Sequence, residues 1–154
     1  MERIDMLIDA VRDYLDKNDW NYEFESAKNI IRCGVNLECK LQSVKVYVLF
    51  NENGFTVVVC PAMRAEESSR NAVMEFITRA NYGVRNGNFE MDIRDGEVRY
   101  KIYINAKGMD SMPEEIVEDS IMIPVMMFEK YGNGLAAVML GFSDAETEIK
   151  KIEG

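Results

Sequence analysis

The chain has 154 residues, 47% of them hydrophobic and 29% charged, which suits one domain spanning residues 1–154 around a hydrophobic core. Its formal charge of −9 argues against a nucleic-acid partner, because proteins that hold a phosphate backbone gather Lys and Arg into a patch and no basic run occurs here. The acidity is read as a device for solubility.

The three cysteines, Cys33, Cys39 and Cys60, are odd in number, and each lies in a strand-like apolar run. That pattern fits reduced core thiols in a reducing compartment, so a cytoplasmic location is expected. With no histidine and no common ligand spacing, neither a metal nor any other cofactor is expected. Met1 to Tyr14 mixes Glu2, Arg3, Asp5, Asp9, Arg12 and Asp13 with its apolar residues and lacks the continuous core of a signal peptide. Ile121 to Phe142 is nearly all apolar. Glu129, Lys130, Gly132, Asn133 and Gly134 nevertheless interrupt it short of the ~20 residues that cross a bilayer, so no membrane partner is expected.

Ile4, Leu7, Ile8, Val11 and Leu15 recur at three and four residues and predict an opening amphipathic helix, ended by Asp16 to Asp19. A short alternation begins at Tyr22 and Phe24. Ile31, Cys33, Val35 and Leu37, and then Val44, Val46, Val48 and Phe50, keep the period of half-buried strands. Asn51 to Gly54 turns the chain into Phe55, Val57 and Val59, a hairpin whose second strand stops at Pro61, which has no N–H for the ladder.

From about Arg64 the period becomes helical. Ala72, Val73, Phe76, Ile77 and Ala80 form the inner side, and Gly83 supplies a left-handed exit after Tyr82. Phe89, Met91 and Ile93 answer Val98, Tyr100, Ile102 and Ile104 across Asp95-Gly96 in a second hairpin. Pro113, Glu114 and Glu115 start a long helix, which Gly132-Asn133-Gly134 is expected to break before Leu135 to Leu140 resume it. Ser143 and Glu146 read as a capping box for a short tail. The order helix, strands, helix, hairpin, long helix defines an α+β fold, an antiparallel β-sheet with helices packed on one face.

The run Asn81-Tyr82-Gly83, Gly87-Asn88-Phe89-Glu90-Met91-Asp92 and Asp95-Gly96-Glu97-Val98-Arg99-Tyr100 resembles the YbjN-like family, described as putative bacterial sensory transduction regulators. The likeness extends from about Trp20 to Ser143. It implies a fold like that of the type III secretion chaperones, small acidic dimers that hold extended segments of other proteins. What it implies about activity is protein binding, with no catalytic or ligand residues to carry over. Each motif residue also has a plain structural reading, with Gly83 as a cap, Phe89 and Tyr100 as core and Asp95-Gly96 as a turn.

At ~100° per residue, Ile116, Val117, Ile121, Val125, Met127, Phe128 and Tyr131 share a core-facing arc of the long helix. Glu118, Asp119, Glu129 and Lys130 lie opposite, and Met122 and Met126 fall between these acids and cations, facing outward. Methionine suits adaptable interfaces, so this pair is the candidate partner-binding site. Pro124 removes one helical bond and is expected to bend the helix. A helix apolar over most of its circumference needs cover on more than one side, from its own sheet or from another chain.

Catalysis is not expected. Glu66-Glu67 and Glu114-Glu115 are helix neighbours that diverge, Ser68 and Ser69 lack a base, Cys60 has no histidine to ionise it, and Gly83 and Gly87 lack the spacing and lysine of a phosphate loop. The reading that follows is a non-enzymatic, chaperone-like or regulatory protein-binding module, a homodimer with a protein partner of unknown identity. The alternatives are a small-molecule sensor with an apolar pocket between the long helix and the sheet, and a structural homo-oligomer subunit.

Overall fold

In the computed structural model, which describes residues 1–154, helix α1 (Arg3–Lys17) is followed by strands β1 (Tyr22–Glu25), β2 (Ile30–Asn36), β3 (Ser43–Asn51) and β4 (Gly54–Pro61). A 3-10 turn at Glu67–Ser69 leads into α2 (Arg70–Asn81), then β5 (Asn88–Asp92), β6 (Glu97–Asn105), α3 (Glu114–Met139) and α4 (Ala145–Glu153). Helix α2 starts later than the periodicity suggests. The Ala65 N–H is committed to the Gly96 carbonyl at 2.9 Å, so the connection stays extended until Glu66.

The six strands pair antiparallel in the order β1-β2-β3-β4-β6-β5. Because side chains alternate across a pleated sheet, register decides which rows are covered. Phe24, Ile31, Val48, Val57 and Ile102 stand opposite one another in one row. The last four of these are buried. The row of opposite parity, Glu23, Arg32, Tyr47, Val58 and Lys101, is half-buried to exposed. Helix α1 lies against β3 and β4, α3 against β4 and β6, and α2 against β5, while α4 packs on α2 and α3. The sheet is thus open and the fold α+β, with helices packed against the sheet and one continuous hydrophobic core between them.

Helix α3 departs from its expected form. It runs from Glu114 to Met139 without interruption, through Pro124 and through Gly132-Asn133-Gly134. The glycines are contact points. A methyl group on Gly132 would collide with the Cys39 sulfur and stand 3.2 Å from Cys39 Cβ and Leu41 Cδ1, and one on Gly134 would stand 2.9 Å from Ile152 Cδ1 and 3.2 Å from Phe76. The loop between β2 and β3 and helix α4 each set side chains so close to the α3 backbone that a residue larger than glycine would force them to shift. Asn133 is equally misjudged as a breaker, since its Oδ1 accepts the Lys40 N–H at 2.8 Å and pins that loop.

The capping assignment also shifts by one residue. Asp144 is the N-cap of α4 and its carboxylate accepts from the Thr147 N–H at 2.8 Å, whereas the Ser143 hydroxyl donates to buried Glu148 at 2.6 Å. An ionised carboxylate is a better acceptor than a hydroxyl for that orphan N–H, so Asp144 takes the cap instead of Ser143 and Glu146 is left exposed.

Candidate interaction site

The cover that α3 needs comes largely from its own chain. The sheet lies beneath it, α1, α2 and α4 lie beside it, and the loop from Leu37 to Gln42 closes over a further strip. Glu129, placed by the helical wheel opposite the core-facing arc, accepts the Glu38 N–H through both carboxylate oxygens at 2.9 and 3.0 Å and holds this loop. Val117, Ile121, Val125, Phe128 and Tyr131 are buried as the helical wheel predicts, while Ile116 and Met127 are only half-buried.

What stays uncovered is a narrow ridge along α3, together with Leu140 and Phe142 past its end. Met126 is 62% exposed in the middle of the helix, and Met122, one turn earlier, is half-buried against the core. The structure therefore separates the two methionines that the wheel treats alike. Beside the ridge lies an open cleft of about 620 Å³, between α3 and the Tyr82–Asn86 loop. Ile123 and Met127 line it from the helix, Tyr82 and Val84 from the loop, with Asp119 and Lys130 at its margin.

The loop is rigidly built, and the residues of the family motif build it. Asn81, the last residue of α2, accepts the Phe89 N–H at 2.7 Å and donates from Nδ2 to the Phe89 carbonyl at 2.9 Å. Gly83 has φ +87° and Gly87 φ +77°, conformations that favour glycine, and a methyl group on Gly87 would crowd Tyr100, Lys101 and Ile102. The Tyr100 hydroxyl donates to the Asn86 carbonyl. Phe89 lies edge-on to Tyr100, Phe128 and Tyr131 at 4.9, 5.3 and 5.7 Å between centroids. These contacts leave Tyr82 standing in solvent, 92% exposed. Sequence reasoning passed over Tyr82; its one signal is an aromatic ring between a helix-ending Asn and a left-handed Gly.

The cleft is polar as well as apolar, with Arg85, Asn86, Tyr100, Tyr131 and Glu153 among its lining residues. Tyr131 donates to Glu153 at 2.6 Å, and burial, with that bond and the Glu153 charge, pushes its phenol well above the usual range. Burial likewise raises the Tyr100 phenol to about 12. Both stay protonated near neutrality, so the floor offers hydrogen-bonding hydroxyls and no phenolate. Burial also pushes the Cys33 thiol up to about 11 and raises Cys39 and Cys60, which keeps all three un-ionised near neutrality. No group of three Cys, Asp or Glu residues is placed to hold a metal ion.

Fold and site together define a class: an α+β protein with a helix-backed antiparallel sheet and an open cleft of mixed polarity beside its longest helix. The chain belongs to the YbjN family, described as "putative bacterial sensory transduction regulator", which it matches over residues 7–136. The matched span takes in the Asn81 to Tyr100 run that builds the cleft loop. A search of curated proteins finds no match. No helix is long and apolar enough to cross a membrane.

Proposed function

We propose that this chain is a non-enzymatic protein-binding module, regulatory or chaperone-like, which works as a cytoplasmic homodimer and meets other chains through the α3 ridge at Met122 and Met126 and the adjoining cleft. The observation that carries this reading is the exposure of Met126 and Tyr82 on a frame that is otherwise tightly bonded. Large apolar side chains fixed on a rigid scaffold lose little conformational entropy on binding, and methionine adapts its shape to a partner. The protonated thiols and the divergent carboxylate pairs support the non-enzymatic part.

The test is replacement of Met122 and Met126 together by Glu. The variant is expected to keep the wild-type circular dichroism and to sediment as a smaller species. A folded variant with an unchanged sedimentation profile would count against the ridge as the dimer contact. A second reading, the small-molecule sensor, is favoured by the cleft itself, which at about 620 Å³ falls in the range of ligand sites and is lined by Ile123, Met127 and Tyr82. It predicts that a small aromatic ligand raises the melting temperature and shifts the Met127 methyl resonance.

A further inference from the structure

A second open pocket, of about 390 Å³, lies between α1 and the start of α3 and shares no residue with the cleft beside Tyr82. Its walls are apolar at Met6, Ala10 and Met112 and acidic at Asp9, Asp13 and Glu114. Lys17, the only basic side chain there, is already committed, because its Nζ donates to both oxygens of Glu114 at 3.0 Å. Asp9 and Asp13 are left without an ion pair, from the Met1 amino group or from any side chain. Arg12, on the same helix, turns to the Tyr22 hydroxyl and the Phe24 ring instead.

Tyr14 is an independent sign of a ligand. The residue is only 5% exposed, and its hydroxyl makes no hydrogen bond within the protein, although no sealed polar side-chain atom of the chain lacks a partner. The hydroxyl is therefore open to the pocket that Tyr14 lines. Burial first, and then the charges of Glu118 and Glu114, raise the phenol above its usual range, so near neutrality it stays a neutral hydroxyl whose oxygen can accept.

These groups define the occupant. Unpaired carboxylates and a phenol oxygen suit a cation, and walls of methionine and alanine suit a hydrocarbon body on it. A metal ion does not fit, because no three acidic groups converge on one point. Asp9 and Asp13 stand one helical turn apart, roughly 5–6 Å between Cβ atoms, and repel each other. Two ammonium groups joined by a short aliphatic chain have a similar separation, and the chain between them can lie on the apolar wall.

We propose that this pocket binds an aliphatic diamine or polyamine, with ammonium groups on Asp9 and Asp13, methylenes against Met6 and Met112, and one N–H donated to the Tyr14 oxygen. The site is separate from the α3 ridge and does not depend on it.

The test titrates the full chain with diaminobutane, butylamine and magnesium chloride, and follows the Met6 and Met112 methyl resonances and the Tyr14 ring. Diaminobutane is expected to shift all three saturably. Butylamine, equivalent to a single lysine side chain, is expected to bind about fivefold more weakly, the upper end for one partly exposed ion pair. Magnesium at equal ionic strength is expected to leave these resonances in place. Tyr14→Phe should keep the parent's melting temperature, since the hydroxyl bonds nothing in the free protein. It should weaken diaminobutane about tenfold, the scale of a hydrogen bond to a charged group. Met126→Glu should leave the binding unchanged, which separates it from the ridge. Equal shifts with magnesium, butylamine binding as tightly as diaminobutane, unaltered binding in Tyr14→Phe, or no saturable shift at all would overturn the proposal.

Discussion

Replacing Gly132 by Ala puts the packing of α3 to the test, because two effects of opposite sign meet there. In an open helix, Gly to Ala stabilises by roughly 0.5–1 kcal/mol through lower backbone entropy in the unfolded chain. Here the new methyl would collide with the Cys39 sulfur and lie 3.2 Å from Leu41 Cδ1. Overpacking of this kind costs about 1–3 kcal/mol, so the net expectation is destabilisation by about 1–2 kcal/mol. Urea unfolding followed by circular dichroism would read it as a lower midpoint at constant slope. Cys39→Ala should relieve most of the penalty, giving a coupling of about 1 kcal/mol in the double-mutant cycle. Gly134→Ala should cost less, because the nearest atom there, Ile152 Cδ1 at 2.9 Å, is the end of a flexible side chain. A Gly132→Ala protein more stable than the parent would refute the close-approach reading and restore the view that the glycines weaken the helix.

Asn81→Ala should cost about 1–3 kcal/mol by stranding the Phe89 backbone groups, and should open the β5 edge, visible as concentration-dependent light scattering. Scattering equal to that of the parent would mean that the edge needs no plug. The Glu148 carboxylate is held below the usual range by the Ser143 hydroxyl first and then by Lys151. A depressed folded value means that its contribution is whole above the unfolded value of about 4.3 and is lost as pH falls through the folded value. Glu148→Gln should therefore be less stable at neutral pH and flatter in its acid limb, measured by urea midpoints across the pH range.

Much of the architecture was legible because strand and helix periods are local properties. The alternation from Val44 to Phe50 and from Phe55 to Val59, the Asp95-Gly96 turn, the Gly83 exit and the Pro113 start all appear where the pattern places them. The errors share a cause. Gly132, Gly134, Asn133 and Glu129 were judged by propensity within their own helix, whereas each answers to the Leu37 to Gln42 loop or to α4, segments remote in sequence. Met122 and Met126 are equivalent on a helical wheel, and only the packed neighbours of α3 separate a half-buried residue from an exposed one.

By itself, the order of residues determined most elements, the buried faces of β3 and β4 and the membership in a family, since these rest on periods of two and 3.6 and on a contiguous motif. Ile93, expected in line with Phe89 and Met91, instead lies past the end of β5 and is exposed. Tertiary structure alone decided which glycine is a cap and which a contact, that Asn81 bonds the outer backbone of Phe89, and that Tyr82 stands free. Those outcomes depend on which distant backbone comes within van der Waals or hydrogen-bond reach, a distance that no local pattern encodes.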